Sequence, residues 1–119
     1  MEAKIKVYQM NLDGEVDAAK MAEIDRIVGQ LIKGEMFGLI LNFEAVEHVH
    51  FSILPALVEE RKRLQSFGGD LRLAALSDYL KNIFKTTGVL DEFQAFESAQ
   101  QAAKSFGVSK AATNLPLGL

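Results

Sequence analysis

Read as apolar and polar positions, the chain changes period several times. Ile5 to Leu12 is rich in Ile, Val, Tyr and Met and has the length of a strand, and the pair Asp13-Gly14 reads as its closing turn. From Asp17 the step lengthens. Met21, Ile24, Val28 and Leu31 lie three or four apart on one helical face, with Asp17 as N-cap and Gly34 as stop. Phe37 to Phe43, FGLILNF, is an unbroken apolar run, the pattern of a strand covered on both faces. After EHVHFS a second helix turns Leu54, Leu57, Val58, Leu64 and Phe67 inward. Its other face carries Glu59, Glu60, Lys62 and Arg63, and Gly68-Gly69 ends it. DLRLAAL alternates again as a strand. A third helix, capped by Ser77 or Asp78, buries Leu80, Ile83 and Phe84 and stops near Gly88. FQAF is a short last strand, and Ser98 with Gln101 forms a capping box for a final helix through Ala102, Ala103 and Phe106.

Strands alternating with helices at this spacing predict an α/β fold with right-handed crossovers and a mostly parallel sheet. In such sheets, sites lie beyond the carboxyl ends of the strands, and the HVHFS loop falls at such an end. The 119 residues suit one domain, expected over 1–107, with a loose tail over 108–119 that contains Pro116 and Gly118 and shows no periodicity.

Composition narrows the chemistry. Without cysteine there are no disulfides, thiolate nucleophiles or Cys-based zinc sites, in keeping with a reducing cytoplasm. A net charge of −3 and the lack of Trp argue against nucleic-acid binding. No apolar stretch reaches membrane-spanning length, and MEAKIKVYQM has no signal-peptide core, so a cytoplasmic location is expected. No Gly-rich phosphate loop and no nucleophile elbow is present, and no carboxylate pair is set for acid–base work, so the expectation is a non-enzyme without cofactor. His48 and His50 project from the same face of an extended segment. They could offer two metal ligands, but no third is evident and Glu47 points the other way, so no metal is expected.

The remaining candidate is Ser52, the hydroxyl in EHVHFSILPAL. A serine before an apolar helical run is a preferred N-cap, and Pro55 is tolerated in the first turn. The same helix end, with unpaired amides and a positive dipole, suits a phosphate carried on Ser52.

From Ile5 to Phe106 the chain resembles the STAS domain, the family of bacterial anti-sigma factor antagonists and of the cytoplasmic tails of sulfate transporters. LDGEVDAAKMAEI is similar to that family's turn into the first helix, and GLILNFEAVEHVHFSILPAL to the strand and loop before its phosphorylatable serine. GGDLRLAAL and FKTTGVLDEFQAFESAQQA are similar to the later strands and helices. The resemblance implies a small, mostly parallel sheet with about four helices, mainly on one side. Where the family reads Asp-Ser-Ser-Gly-Leu, this chain reads His50-Phe51-Ser52-Ile53-Leu54, which makes Ser52 the implied phosphoacceptor. Ile53 in place of glycine is expected to crowd an approaching kinase. The implied function is a regulatory, protein-binding domain whose partner is an anti-sigma factor with kinase activity, with His50, Phe51, Ile53, Leu54, Leu57 and Arg61 as contacts. The alternative is a constitutive interaction subunit of a lipid-transport permease complex, or a signalling scaffold, without phosphorylation.

Overall fold

A computed structural model describes residues 5–114. The elements are β1 (Val7–Val16), α1 (Ala18–Lys33), β2 (Gly38–Val49), a 3-10 turn at Phe51–Ile53, α2 (Leu54–Gln65), β3 (Asp70–Ala74), α3 (Asp78–Thr86), a second 3-10 turn at Leu90–Glu92, β4 (Ala95–Phe96) and α4 (Ala99–Ser105). The strands form one parallel sheet in the order β1-β2-β3-β4. Alternation along β2 divides the core. Leu39, Leu41 and Phe43 face the cluster built with α1, α2 and α3, while Ile40 faces a smaller cluster with Ala102 and Ala103 of α4. The helices therefore lie mainly on one side.

The helix starts follow the local rules. Asp17 Oδ1 accepts from Lys20 N, Ser77 Oγ from Leu80 N and Ser98 Oγ from Gln101 N. The bond from Lys20 N holds the Asp17 carboxyl below its usual range.

Two strands run further than their patterns predicted. Asp13-Gly14 is not a turn. β1 continues through it to Val16, with Gly14 at φ 58, and the register against β2 shifts twice, between Asn11 and Asp13 and between Gly14 and Glu15. β2 likewise continues to Val49. The shifts break its period of two and bury Val46 and Val49, three apart, which is why EAVEHV does not read as a strand. Since β3 pairs with β2 only from Gly38 to Asn42, the far half of β1–β2 stands beyond the sheet as a two-stranded ribbon. The segment expected to be loose over 108–119 is described as far as Asn114. Within it Ala112 pairs with β1, Gln9 N donating to Ala112 O and Ala112 N to Val7 O.

α2 differs from its pattern at two positions. Phe67 is half exposed beyond the helix and stacks on Phe37, with ring centroids 5.4 Å apart. Glu60, expected on the solvated face, is only 6% exposed. It is held against α1, with Arg63 3.4 Å away and Arg63 also 3.3 Å from Asp25. Burial, reinforced by the neighbouring Asp25 carboxylate, pushes the Glu60 carboxyl up to about 7, against the pull of Arg63. A raised carboxyl contributes stability that is full below its unfolded value and is lost as pH rises through 7. Glu60→Gln keeps a donor for Asp25 and removes the buried charge. It is expected to raise stability by about 1–2 kcal/mol at pH 8 and to leave it unchanged near pH 4, as read by urea denaturation at both pH values.

Candidate functional site

The carboxyl ends of β1 and β2 and the starts of α2 and α3 meet at one end of the molecule. β2 ends at Val49, and His50 N donates to Val16 O, so the chain leaves the sheet tied to the end of β1. A 3-10 turn over Phe51–Ile53 then feeds α2, with Ile53 N donating to His50 O and Pro55 in the first turn. Ser52 lies in this turn, exposed. It is not the cap its position predicted. The caps of the turn and of α2 are His50 and Ile53, and neither provides a side-chain capping bond. The N–H groups of Phe51 and Ser52 find no acceptor among the described residues. An unengaged hydroxyl thus sits beside two unengaged amides at a helix start, an arrangement that can hold an anion carried on Ser52.

Around it the structure sorts the six expected contact residues. His50 and Phe51 are exposed, Phe51 at 70%. Ile53, Leu54 and Leu57 are at most 5% exposed and pack in the main core, so they support the turn from beneath and are not surface. The expected crowding by Ile53 is absent for the same reason: its side chain points inward. Arg61 is also structural. Its Nε donates to Asp70 Oδ1 at 2.7 Å and its Nη1 donates to the Glu92 carbonyl, which ties α2 to β3 and to the turn before β4.

Three further side chains join the site. Tyr79, at the start of α3, is 55% exposed, and its hydroxyl lies 2.6 Å from His48 Nδ1. The rings of His48 and His50 are 5.3 Å apart, on one side of the strand as their spacing predicted. His50 Nε2 lies 3.7 Å from Glu15 Oε1 at the end of β1. Tyr79 escapes a reading of the sequence although a signal exists: it falls between the cap Ser77 and the apolar stripe Leu80, Ile83, Phe84, an aromatic off the core-facing stripe. Among the described residues no three of His, Asp and Glu converge as a metal site requires.

An exposed serine on a helix start, at the carboxyl edge of a parallel sheet with its helices mainly on one side, is the arrangement the resemblance implied. The STAS domain family model matches residues 1–102. The chain belongs to the STAS domain family. Solved relatives share the fold at low identity. A sulfate transporter family protein from Wolinella succinogenes superposes with a TM-score of 0.74 at 17% identity, over 85% of this chain and 84% of that one. The anti-sigma factor antagonist SpoIIAA in its unphosphorylated form gives 0.72 at 17%, over 92% and 96%. A candidate anti-sigma factor antagonist from Thermotoga maritima gives 0.72 at 14%, over 83% and 87%. Transporter and antagonist branches are thus matched equally well in shape. STAS domains are typically binding domains, and among the described residues of this one no helix is long and apolar enough to cross a membrane.

Proposed function

We propose that this STAS domain is a non-enzymatic switch of the anti-sigma factor antagonist kind, acting in the cytoplasm. It docks an anti-sigma factor with kinase activity through the turn His50–Ser52, with His48 and Tyr79 beside it, and phosphorylation of Ser52 ends the docking. The observation that carries the reading is the state of Ser52: an exposed hydroxyl with no capping bond, beside the free amides of Phe51 and itself. A serine spent on a cap would be less available for transfer. A phosphate here adds about −1.5 to −2 charges next to an aromatic contact, where desolvating it on docking is costly. SpoIIAA, of like fold, has also been solved in a phosphorylated form.

One observation favours a second reading. Phe51 stands where the family pattern has a small polar residue, and its exposed ring offers apolar area for docking. On this reading the domain is a constitutive subunit of a permease complex or a scaffold. Recovery of the tagged protein from native lysate, followed by the mass of the Ser52 peptide, separates the two. With the recovered partner, Ser52→Asp is expected to weaken binding at least about tenfold, with Ser52→Ala within about twofold of wild type. Phe51→Ala is expected to cost about 2 kcal/mol of binding. Equal affinity of the Asp and Ala variants would leave the constitutive reading.

A further inference from the structure

The two ends of this molecule carry opposite charge, and the described exposed large apolar side chains lie at these ends. Each helix runs back against the strands, so every helix C-terminus sits at the amino edge of the sheet. The last turns there hold Lys33 of α1, Lys85 of α3 and Lys104 of α4, with half-exposed Phe67 among them, while Lys62 and Arg63 of α2 are engaged by Glu59 and by Asp25 and Glu60. The exposed carboxylates on the turns at that edge are Glu35, Asp91 and Glu92, leaving α1 and entering β4, while buried Asp70 at the start of β3 is held by Arg61 and Arg72. At the carboxyl edge stand exposed Asp13, Glu15, Glu44, Glu47 and Asp78, with Phe51 and Tyr79. The chain has no Lys or Arg at all over 7–19 or 34–60. The nearby cations Lys20 and Lys81 are engaged by Glu23 and Glu97.

We infer that a second copy of this chain docks head to tail, the acidic, aromatic carboxyl edge of one against the basic, aromatic amino edge of the next. This rests on charge placement and exposed aromatics, independently of whether Ser52 is modified. Like ends repel, so a two-fold pairing of either end with itself is disfavoured, while unlike ends attract and bring Phe51 and Tyr79 toward Phe67. The molecule measures 42 × 26 × 23 Å, and β2 alone spans about 40 Å, so the long axis follows the strands. An end face of roughly 500 Å² makes the contact small and the association reversible. Since the head includes Ser52, a copy docked there competes with any other partner for that surface.

Sedimentation equilibrium of the full chain tests this. At low salt the weight-average mass is expected to rise above 13.1 kDa as concentration increases, and to return to the monomer in high salt, where charges are screened within a few ångströms. Phe51→Lys blocks the head and Phe67→Asp blocks the tail, each removing an aromatic contact and setting a charge against its own docking partner. Each alone is expected to remain monomeric, while a mixture of the two forms a one-to-one dimer and grows no further. Lys33→Glu serves as a second tail variant should Phe67→Asp fail to fold, as judged by circular dichroism. A wild type that stays monomeric at low salt up to millimolar concentration overturns the proposal. So does self-association of either single variant, or a mixture that stays monomeric.

Discussion

Gly69→Ala is expected to lose more than about 4 kcal/mol of stability, enough to leave much of the protein unfolded. A Cβ on Gly69 would lie 1.9 Å from the Phe37 carbonyl oxygen and 2.6 Å from its carbon. That carbonyl cannot retreat freely, because it accepts from Asp70 N in the bond that starts the pairing of β3 with β2. Gly69 N in turn donates to Leu64 O at the end of α2, so the residue is pinned on both sides. Gly68 supplies the contrast. It sits at φ +83, and a methyl there would meet nothing within 4 Å, so Gly68→Ala bears only the left-handed backbone cost of about 1–2 kcal/mol. Urea denaturation of the two variants should separate them by at least about 2 kcal/mol; equal losses would show that the strand start can shift to admit the methyl.

Asp70→Ala is expected to cost about 3–5 kcal/mol. Asp70 is 7% exposed, and its two oxygens accept from three donors: Arg61 Nε at 2.7 Å and its neighbour Leu71 N on Oδ1, Arg72 Nε at 3.0 Å on Oδ2. Both arginines are themselves mostly covered, at 18% and 16% side-chain exposure. Removing the carboxylate leaves two guanidinium groups without a counter-charge, which costs far more than the pair contributes over an apolar replacement. Arg61 retains the Glu92 carbonyl, while Arg72 retains Ser105 Oγ and the Phe106 ring 4.0 Å from its Cζ, so the sheet should loosen at β3 without losing α4. Asp91→Ala, at an exposed position on the turn before β4, is the control, with a change within about 0.5 kcal/mol. A loss at Asp70 no greater than that would remove this cluster from the account of stability.

Periodicity and capping made most of the architecture legible. Asp17 and Ser98 are legible as caps, and Ser77 as one of two candidates beside Asp78, because each cap is written within three residues of the amide it satisfies. The buried run of β2 stood out because both its faces are covered. What escaped depends on contacts between distant segments. The extension of β2 is set by two register shifts against β1, and no single-strand pattern contains them. Glu60 looked solvated because α1 is absent from the local view of α2. At the site, the position of Ser52 was readable from spacing but its role as a cap was not, since capping depends on whether the turn begins at His50 or at Ser52. Leu54 and Leu57 were readable as inward-facing from their helical step; assigning them to a partner as well overlooked that a side chain wholly inside the core has no surface left to offer.

The pairing of Ala112 with Tyr8 bears on how the chain comes together during synthesis. The two residues are about a hundred positions apart, and they meet on the outer edge of β1, which is made before the other described strands. That stretch of edge must therefore wait, uncovered, until nearly the whole domain has emerged from the ribosome. Asp13 and Glu15, further along the same strand, supply the charges that discourage another nascent chain from pairing there first.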